Sequence, residues 1–251
     1  MSEPPLPWRQ TVNVHSFDVD QGGLLAPRVL CAFLQEAAGR DATQRGAGMA
    51  ELMARGLAWV LQRLVIVVDE WPQQDAVVAV TTWPTRFGGA AAERDFTVED
   101  AQGRALARAS SRWAVADLTA RRAVRMPEFL RRLPMEVREP LIALTPFEAH
   151  AAEACPLEEH RLGVRRSDLD RVGHANNTRY VEWGLEATPD EWLRTHALAG
   201  LDIVYRREAL LGDALVSRVF PTNGELKLSH QLRLEASLEP LADLVTLWRP
   251  R

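Results

Sequence analysis

Apolar residues recur with helical spacing at Leu30, Phe33, Leu34, Ala37 and Ala38, which predicts an amphipathic helix early in the chain. Pro27 suits its first turn, where a missing N–H costs nothing. The period then changes to two. Leu61 to Val68 and Ala76 to Trp83 read as strands, and from Ala105 to Val115 the odd positions form an Ala/Ser/Trp face while Arg104, Arg108 and Arg112 point the other way. The second half repeats the plan. A helix capped by Asn176 or Asn177 carries Tyr180, Trp183, Gly184 and Ala187 on its apolar side. Strands follow at Leu201 to Arg206, Ala214 to Phe220, His230 to Glu235 and Ala242 to Trp248.

The repetition extends to the letters themselves. Asp18-Val19-Asp20-Gln21-Gly22-Gly23 aligns without a gap on Asp168-Leu169-Asp170-Arg171-Val172-Gly173 at an offset of 150 residues, and the same offset pairs Glu36 with Glu186. The Gln74-Asp75-Ala76-Val77 turn has its echo in Gly212-Asp213-Ala214-Leu215. One long helix followed by several face-alternating strands, used twice, predicts an α+β fold: two antiparallel sheets, each curled around a helix. Residues 1–120 and 161–251 are the expected domains. Residues 121–160, rich in proline and arginine, read as a connector with short helical pieces. A nucleotide-binding doubly wound sheet is disfavoured, because the order is not a βαβ series and neither glycine-rich phosphate motif occurs.

Composition narrows the function classes. The 251 residues are 47% apolar with a formal charge of −4, too acidic for a dedicated nucleic-acid binder. The longest strongly apolar run, Leu64 to Val68, is too short to span a bilayer, and the N-terminal stretch lacks the apolar core of a signal peptide. Cys31 and Cys155 alone make neither a disulfide framework nor a thiolate zinc site, which fits a reducing, cytoplasmic setting.

Chemistry concentrates in Arg165 to Tyr180, where two acids, a glycine, a histidine and two amides meet at a strand-to-helix junction. Free backbone N–H groups and the helix dipole there would polarise a carbonyl. A carboxylate would act as general base or attack directly, and His174 would position a water or the leaving group. Asp168 is most simply a turn former or surface acid. The first copy keeps Asp18 and Asp20 but has Leu24, Ala26 and Pro27 where the second has His174, Asn176 and Asn177. The first half is therefore expected to carry no chemistry.

The Asp-x-Asp-x-x-Gly-His-x-Asn-Asn-x-x-Tyr arrangement resembles the signature of hotdog-fold thioesterases, and the whole layout resembles the acyl-acyl carrier protein (acyl-ACP) thioesterases, which hold two hotdog units in one chain. The resemblance includes Trp59-Val60-Leu61-Gln62-Arg63, Thr82-Trp83-Pro84, Arg94-Asp95-Phe96, Trp113 with Asp117 and Arg121-Arg122, Tyr180-Val181-Glu182-Trp183, and Tyr205-Arg206-Arg207-Glu208. It implies catalysis by Asp170, His174 and Glu208 and substrate contacts from Gly173, Asn176 and Asn177, with no metal or organic cofactor. Two positions depart from the family's plant members: Val172 replaces an asparagine and Ala209 a cysteine, so a thiol nucleophile is impossible at 209. The expected reaction releases a fatty acid from acyl-ACP, with the first half free to serve as acyl-chain pocket. Alternatives are an acyl-coenzyme A thioesterase and a non-catalytic acyl- or carrier-binding module. The implied partner is an acidic carrier protein, met by Arg121, Arg122, Arg125, Arg131 and Arg132. Neither nucleic acid nor membrane is expected, and monomer and homodimer both remain open.

Overall fold

Each half of the chain packs its own antiparallel strands around its own helix. The computed structural model describes residues 7–134, 138–147, 155–222 and 226–251. The chain divides into two units, Met1–Leu144 and Thr145–Arg251. The first contains β1 (Trp8–Asn13), α1 (Pro27–Gln44), α2 (Met49–Met53), β2 (Leu57–Val68), β3 (Val77–Gly88), β4 (Ala91–Glu99), β5 (Ala105–Asp117), β6 (Arg122–Val124) and α3 (Glu128–Arg131). Its strands lie in the order β1-β3-β4-β5-β2, with β6 also on β5, and these neighbours are antiparallel. Pro27 opens α1, which packs on β3 and buries Leu30, Leu34, Ala37 and Ala38.

The second unit contains β7 (Glu158–Gly163), a 3₁₀ turn at Arg166–Asp168, α4 (Asn177–Leu185), α5 (Asp190–Thr195), β8 (His196–Tyr205), β9 (Ala214–Pro221), β10 (Lys227–Leu234) and β11 (Pro240–Pro250). Its order, β7-β9-β10-β11-β8, reproduces that of the first unit, again antiparallel throughout. Tyr180, Trp183, Gly184 and Ala187 are buried as the helical pattern predicts. Gly184 is closely packed: a Cβ there would lie 2.9 Å from both methyl carbons of Leu244, which would have to shift.

Three expectations change. The second helix is not long. α4 has nine residues against 18 in α1, because Pro189 drives the preceding residue away from helical backbone and starts the separate α5. The expected connector is partly folded into the first unit: β6 pairs with β5, and Leu130 of α3 is buried beside Leu52, Val115 and Met126. Beyond it the backbone N–H of Leu141 donates to Asp95 Oδ2 at 2.7 Å, and that of Ile142 donates to Ser110 Oγ at 3.2 Å. Residues 135–137 and 148–154 of the connector lie outside the described residues. The two turns align one residue differently from the sequence reading. Val14 N–H meets the Ala76 carbonyl as Val164 N–H meets that of Asp213, so Asp75 (φ 64°), not Gln74, corresponds to Gly212 (φ 87°).

The two cores solve their polar content differently. In the first, Asp41 on α1 accepts from Arg45 Nε at 2.8 Å and pairs with Arg94 of β4 at 2.7 Å, all three side chains being buried. Burial pulls the Arg94 guanidinium below its ordinary range, and the Asp41 carboxylate opposes that shift. Deleting Asp41 would strand two cations in the interior. The second core instead holds the neutral ring of His230, with Nε2 2.8 Å from Thr246 Oγ1, which also accepts from Trp248 Nε1. Burial lowers the His230 pKa from 6.5 to about 4.

This sets a pH dependence. Below 6.5 the unfolded chain's imidazole takes up a proton that the folded one refuses until about pH 4, so stability falls as pH falls through that window. Between pH 6.5 and roughly 5 the loss is expected to be about 2 kcal/mol. Urea unfolding across that range checks it: His230→Gln should flatten the slope, and an unchanged slope would refute the assignment.

Candidate active site

The Asp-x-Asp segment forms the same hydrogen-bonded turn in both units. In the second, Asp170 Oδ1 accepts from the N–H groups of Val172 at 2.9 Å and His174 at 3.1 Å, while Asp170 N–H donates to the His174 carbonyl at 2.8 Å. In the first, Asp20 Oδ1 accepts from Gly22 at 2.8 Å and Leu24 at 3.1 Å. Gly173 (φ 86°) and Gly23 (φ 73°) supply the left-handed residue that each turn requires. The first aspartates of the two pairs also act alike, since Asp168 Oδ2 accepts from Arg165 N–H at 2.8 Å and Asp18 Oδ2 from His15 N–H at 2.9 Å.

Asp168 is a buried anchor rather than a surface acid. It lies against Arg165 at 3.3 Å and Arg179 at 3.4 Å. Burial alone would raise its pKa, but the Arg165 N–H and the two guanidinium groups hold the carboxyl below its usual range.

The turn is then tied to the segment before β9. Ala175 N–H donates to the Ala209 carbonyl at 2.9 Å, and His174 and Leu210 form a β-bridge. This brings two distant residues together: His174 Nε2 lies 3.2 Å from Glu208 Oε2, with the two side chains 34% and 39% exposed. The exposed Asp170 sits on the same turn, and its Oδ1 is already engaged by the backbone.

The free N–H groups expected at the junction are taken up inside the protein. Those of Val172 and His174 go to Asp170 Oδ1, Gly173 to the Asp170 carbonyl, Ala175 to the Ala209 carbonyl, and Asn176 to the Asp168 carbonyl. Asn176, not Asn177, is the helix cap. Its Oδ1 accepts from Thr178 N–H at 2.9 Å and Thr178 Oγ1 at 2.8 Å, leaving its NH₂ as the group able to address a substrate. The Asn177 carbonyl accepts from the Tyr205 hydroxyl at 3.2 Å.

The matching segment of the first unit carries none of this polarity. Leu25 N–H donates to the Pro72 carbonyl at 2.8 Å and Leu24 bridges to Gln73, so Leu24 stands for His174, Trp71 for Glu208 and Pro72 for Ala209. Among the described residues no group of three or more His, Cys, Asp or Glu side chains is placed to hold a metal ion, and no helix is long and apolar enough to cross a membrane.

Residues 5–133 match the family model for the acyl-ACP thioesterase N-terminal domain, and residues 152–250 match that for the C-terminal domain. The chain belongs to the acyl-ACP thioesterase family. Its fold is the double hotdog of that family. An acyl-ACP thioesterase from Bacteroides thetaiotaomicron superposes with a TM-score of 0.85 at 28% identity, over 96% of this chain and 97% of that one. The 12:0-ACP thioesterase from Umbellularia californica shares the fold at a TM-score of 0.88 and 24% identity, over 100% of both chains. The chloroplastic palmitoyl-acyl carrier protein thioesterase of Gossypium hirsutum is 30% identical over 98% of this chain, which spans 64% of that relative's length.

The shared turn predicts a shared structural cost. Asp20→Ala and Asp170→Ala should each lower unfolding stability by about 1–2 kcal/mol, because each leaves two turn N–H groups without their carboxylate. The Asn variants, which keep Oδ1 as an acceptor, should lose much less. Denaturant unfolding of the four variants checks this, and an Asp→Asn loss as large as the Asp→Ala loss would refute it.

Proposed function

We propose that this protein hydrolyses a fatty acyl thioester carried by acyl carrier protein, in the cytoplasm, using Asp170, His174 and Glu208 of its second unit. The 3.2 Å contact between His174 and Glu208, placed on the Asp170 turn, carries the reading. It sets an imidazole against a carboxylate beside the turn that carries Asp170, and the first unit has Leu24 and Trp71 in the matching places. The two free thiols, Cys31 and Cys155, agree with a reducing compartment.

Asp170 is held at Oδ1 by the turn, so its other oxygen takes a proton from water. The water oxygen attacks the thioester carbonyl carbon, and the tetrahedral intermediate collapses with cleavage of the C–S bond. The leaving sulfur receives the proton that Asp170 took from water, passed on by way of His174, while Glu208 fixes the ring's orientation. With the junction's N–H groups engaged, the carbonyl oxygen is polarised by side-chain donors, the Asn176 NH₂ foremost, beside the positive end of the α4 dipole. Gly173 gives the turn its shape, and Asn177 lies beside the cap. The first unit serves as the acyl-chain pocket.

The carrier is met by the arginines at 121, 122, 125, 131 and 132. All five are exposed, Arg121 on a left-handed turn (φ 51°) before β6 and Arg132 paired with Glu128. Acyl carrier proteins are acidic, and a protein of net charge −4 meets one by local concentration of positive charge.

A release assay on acyl-ACP thioesters beside the matching coenzyme A thioesters tests the function, since preferential cleavage of the coenzyme A set or no cleavage of either would overturn it. Asp170→Asn and Glu208→Gln should remain folded and lose turnover by about 10² to 10⁴. Asp20→Asn should retain it. Equal loss from Asp20→Asn and Asp170→Asn would mean two active centres.

Replacing two or three of the five arginines by glutamate should raise KM for acyl-ACP and flatten its salt dependence, while a short acyl-pantetheine thioester is hydrolysed as before. Equal impairment on both substrates would indicate a structural role instead.

A further inference from the structure

We propose that the Tyr180 hydroxyl is a positioning group for Glu208, clamping the backbone on both sides of it so that its carboxylate meets His174. The inference rests on the reading of Glu208 as part of the catalytic machinery. Tyr180 Oη donates to the Arg207 carbonyl at 3.2 Å and accepts from the Ala209 N–H at 2.7 Å. The residue between those two peptide groups is Glu208. The Ala209 carbonyl in turn accepts from Ala175 N–H at 2.9 Å, so the stretch is fixed from the helix side and from the Asp170–His174 turn at once.

The clamp is built rigidly. Tyr180 is 2% exposed and Ala209 fully buried. The phenol ring is set by Trp183 at 5.5 Å and Tyr205 at 5.6 Å between ring centroids. Burial pushes the Tyr180 pKa up to about 12, so near neutral pH the group keeps the proton with which it holds the Arg207 carbonyl. Glu208 itself is 39% exposed in its side chain and lies on no strand or helix, so packing alone does not fix it.

The first unit provides an independent comparison. At the position of Tyr180 it has Leu30, which has no hydroxyl, and at the position of Ala209 it has Pro72, which has no N–H to donate. Where Glu208 would stand it has Trp71. The hydroxyl, the amide it serves and the carboxylate between its two contacts are thus present together in one unit and absent together in the other. The backbone hydrogen bond to the turn, Leu25 N–H to the Pro72 carbonyl at 2.8 Å, persists there without them. The fold itself therefore does not require the clamp.

Tyr180→Phe in the full chain tests this, with Ala209→Pro, which copies Pro72, as a second variant that removes the amide and keeps the hydroxyl. With an acyl-pantetheine substrate, each should lower kcat by about tenfold and leave KM within about twofold, as expected when a catalytic group is misplaced. The Ala209 amide of Tyr180→Phe should exchange with solvent faster. In a Glu208→Gln background, Tyr180→Phe should cost no more than about twofold further, because both changes act through one carboxylate. Wild-type kcat in both single variants, or the same tenfold loss in the Glu208→Gln background, would overturn the proposal. Wild-type turnover in Glu208→Gln would instead remove Glu208 from the chemistry, the separate failure of the functional reading. The clamp is then judged by the Ala209 amide, whose unchanged exchange in Tyr180→Phe overturns it and whose acceleration supports it.

Discussion

A single backbone hydrogen bond, Ala175 N–H to the Ala209 carbonyl, joins the two parts of the site. Its net contribution to stability is of the order of 1 kcal/mol. Its geometric effect is far larger: it sets the strand-to-helix turn against the segment that enters β9, and so places an imidazole against a carboxylate 34 residues away in the chain (208 − 174). Any side chains at these positions would be brought together by it. The first unit makes the same bond and brings together a leucine and a tryptophan.

That explains what the sequence discloses and what it conceals. The strands at Leu61 to Val68 and Ala214 to Phe220 and the buried face of α1 are written in periodicity, and β2, β9 and α1 follow it. Motif spacing brings out Asp170 and His174 because a tight turn is local, and Glu208 enters only through family resemblance because its partner is distant. β4 escapes the pattern. Its burial runs through Arg94, Asp95 and Phe96 without alternation, since the arginine is drawn inward by Asp41 and the aspartate by Ser110. The engaged N–H groups of the junction are equally silent in the letters, for backbone donors carry no residue signature.

Tyr180 is the residue whose letter is legible and whose second use is not. On a helical wheel it is one more member of the apolar face, beside Trp183 and Gly184, and burial bears that out. Only the placement of its oxygen between two peptide groups reveals what else it does. A buried phenol must find partners, and here those partners flank an acid. The contrast between the cores has a similar origin: a charged cluster around Asp41 in one and a neutral His230 in the other occupy the same architecture. Topology leaves the polar chemistry of each core open.

Pro72 also governs how the two copies can change. A phenol introduced at Leu30 would arrive in a buried place with no amide to bind, and an acid introduced at Trp71 would arrive without its anchor. The proline would have to go first, and by itself that exchange exposes a new backbone N–H to an interior that offers it no acceptor from Leu30. Each step toward the second unit's arrangement is unfavourable until the others are in place. The repeat therefore behaves as a one-way ratchet: the exchanges at Leu30, Trp71 and Pro72 that would copy the second unit's arrangement gain their partners only when all three are made.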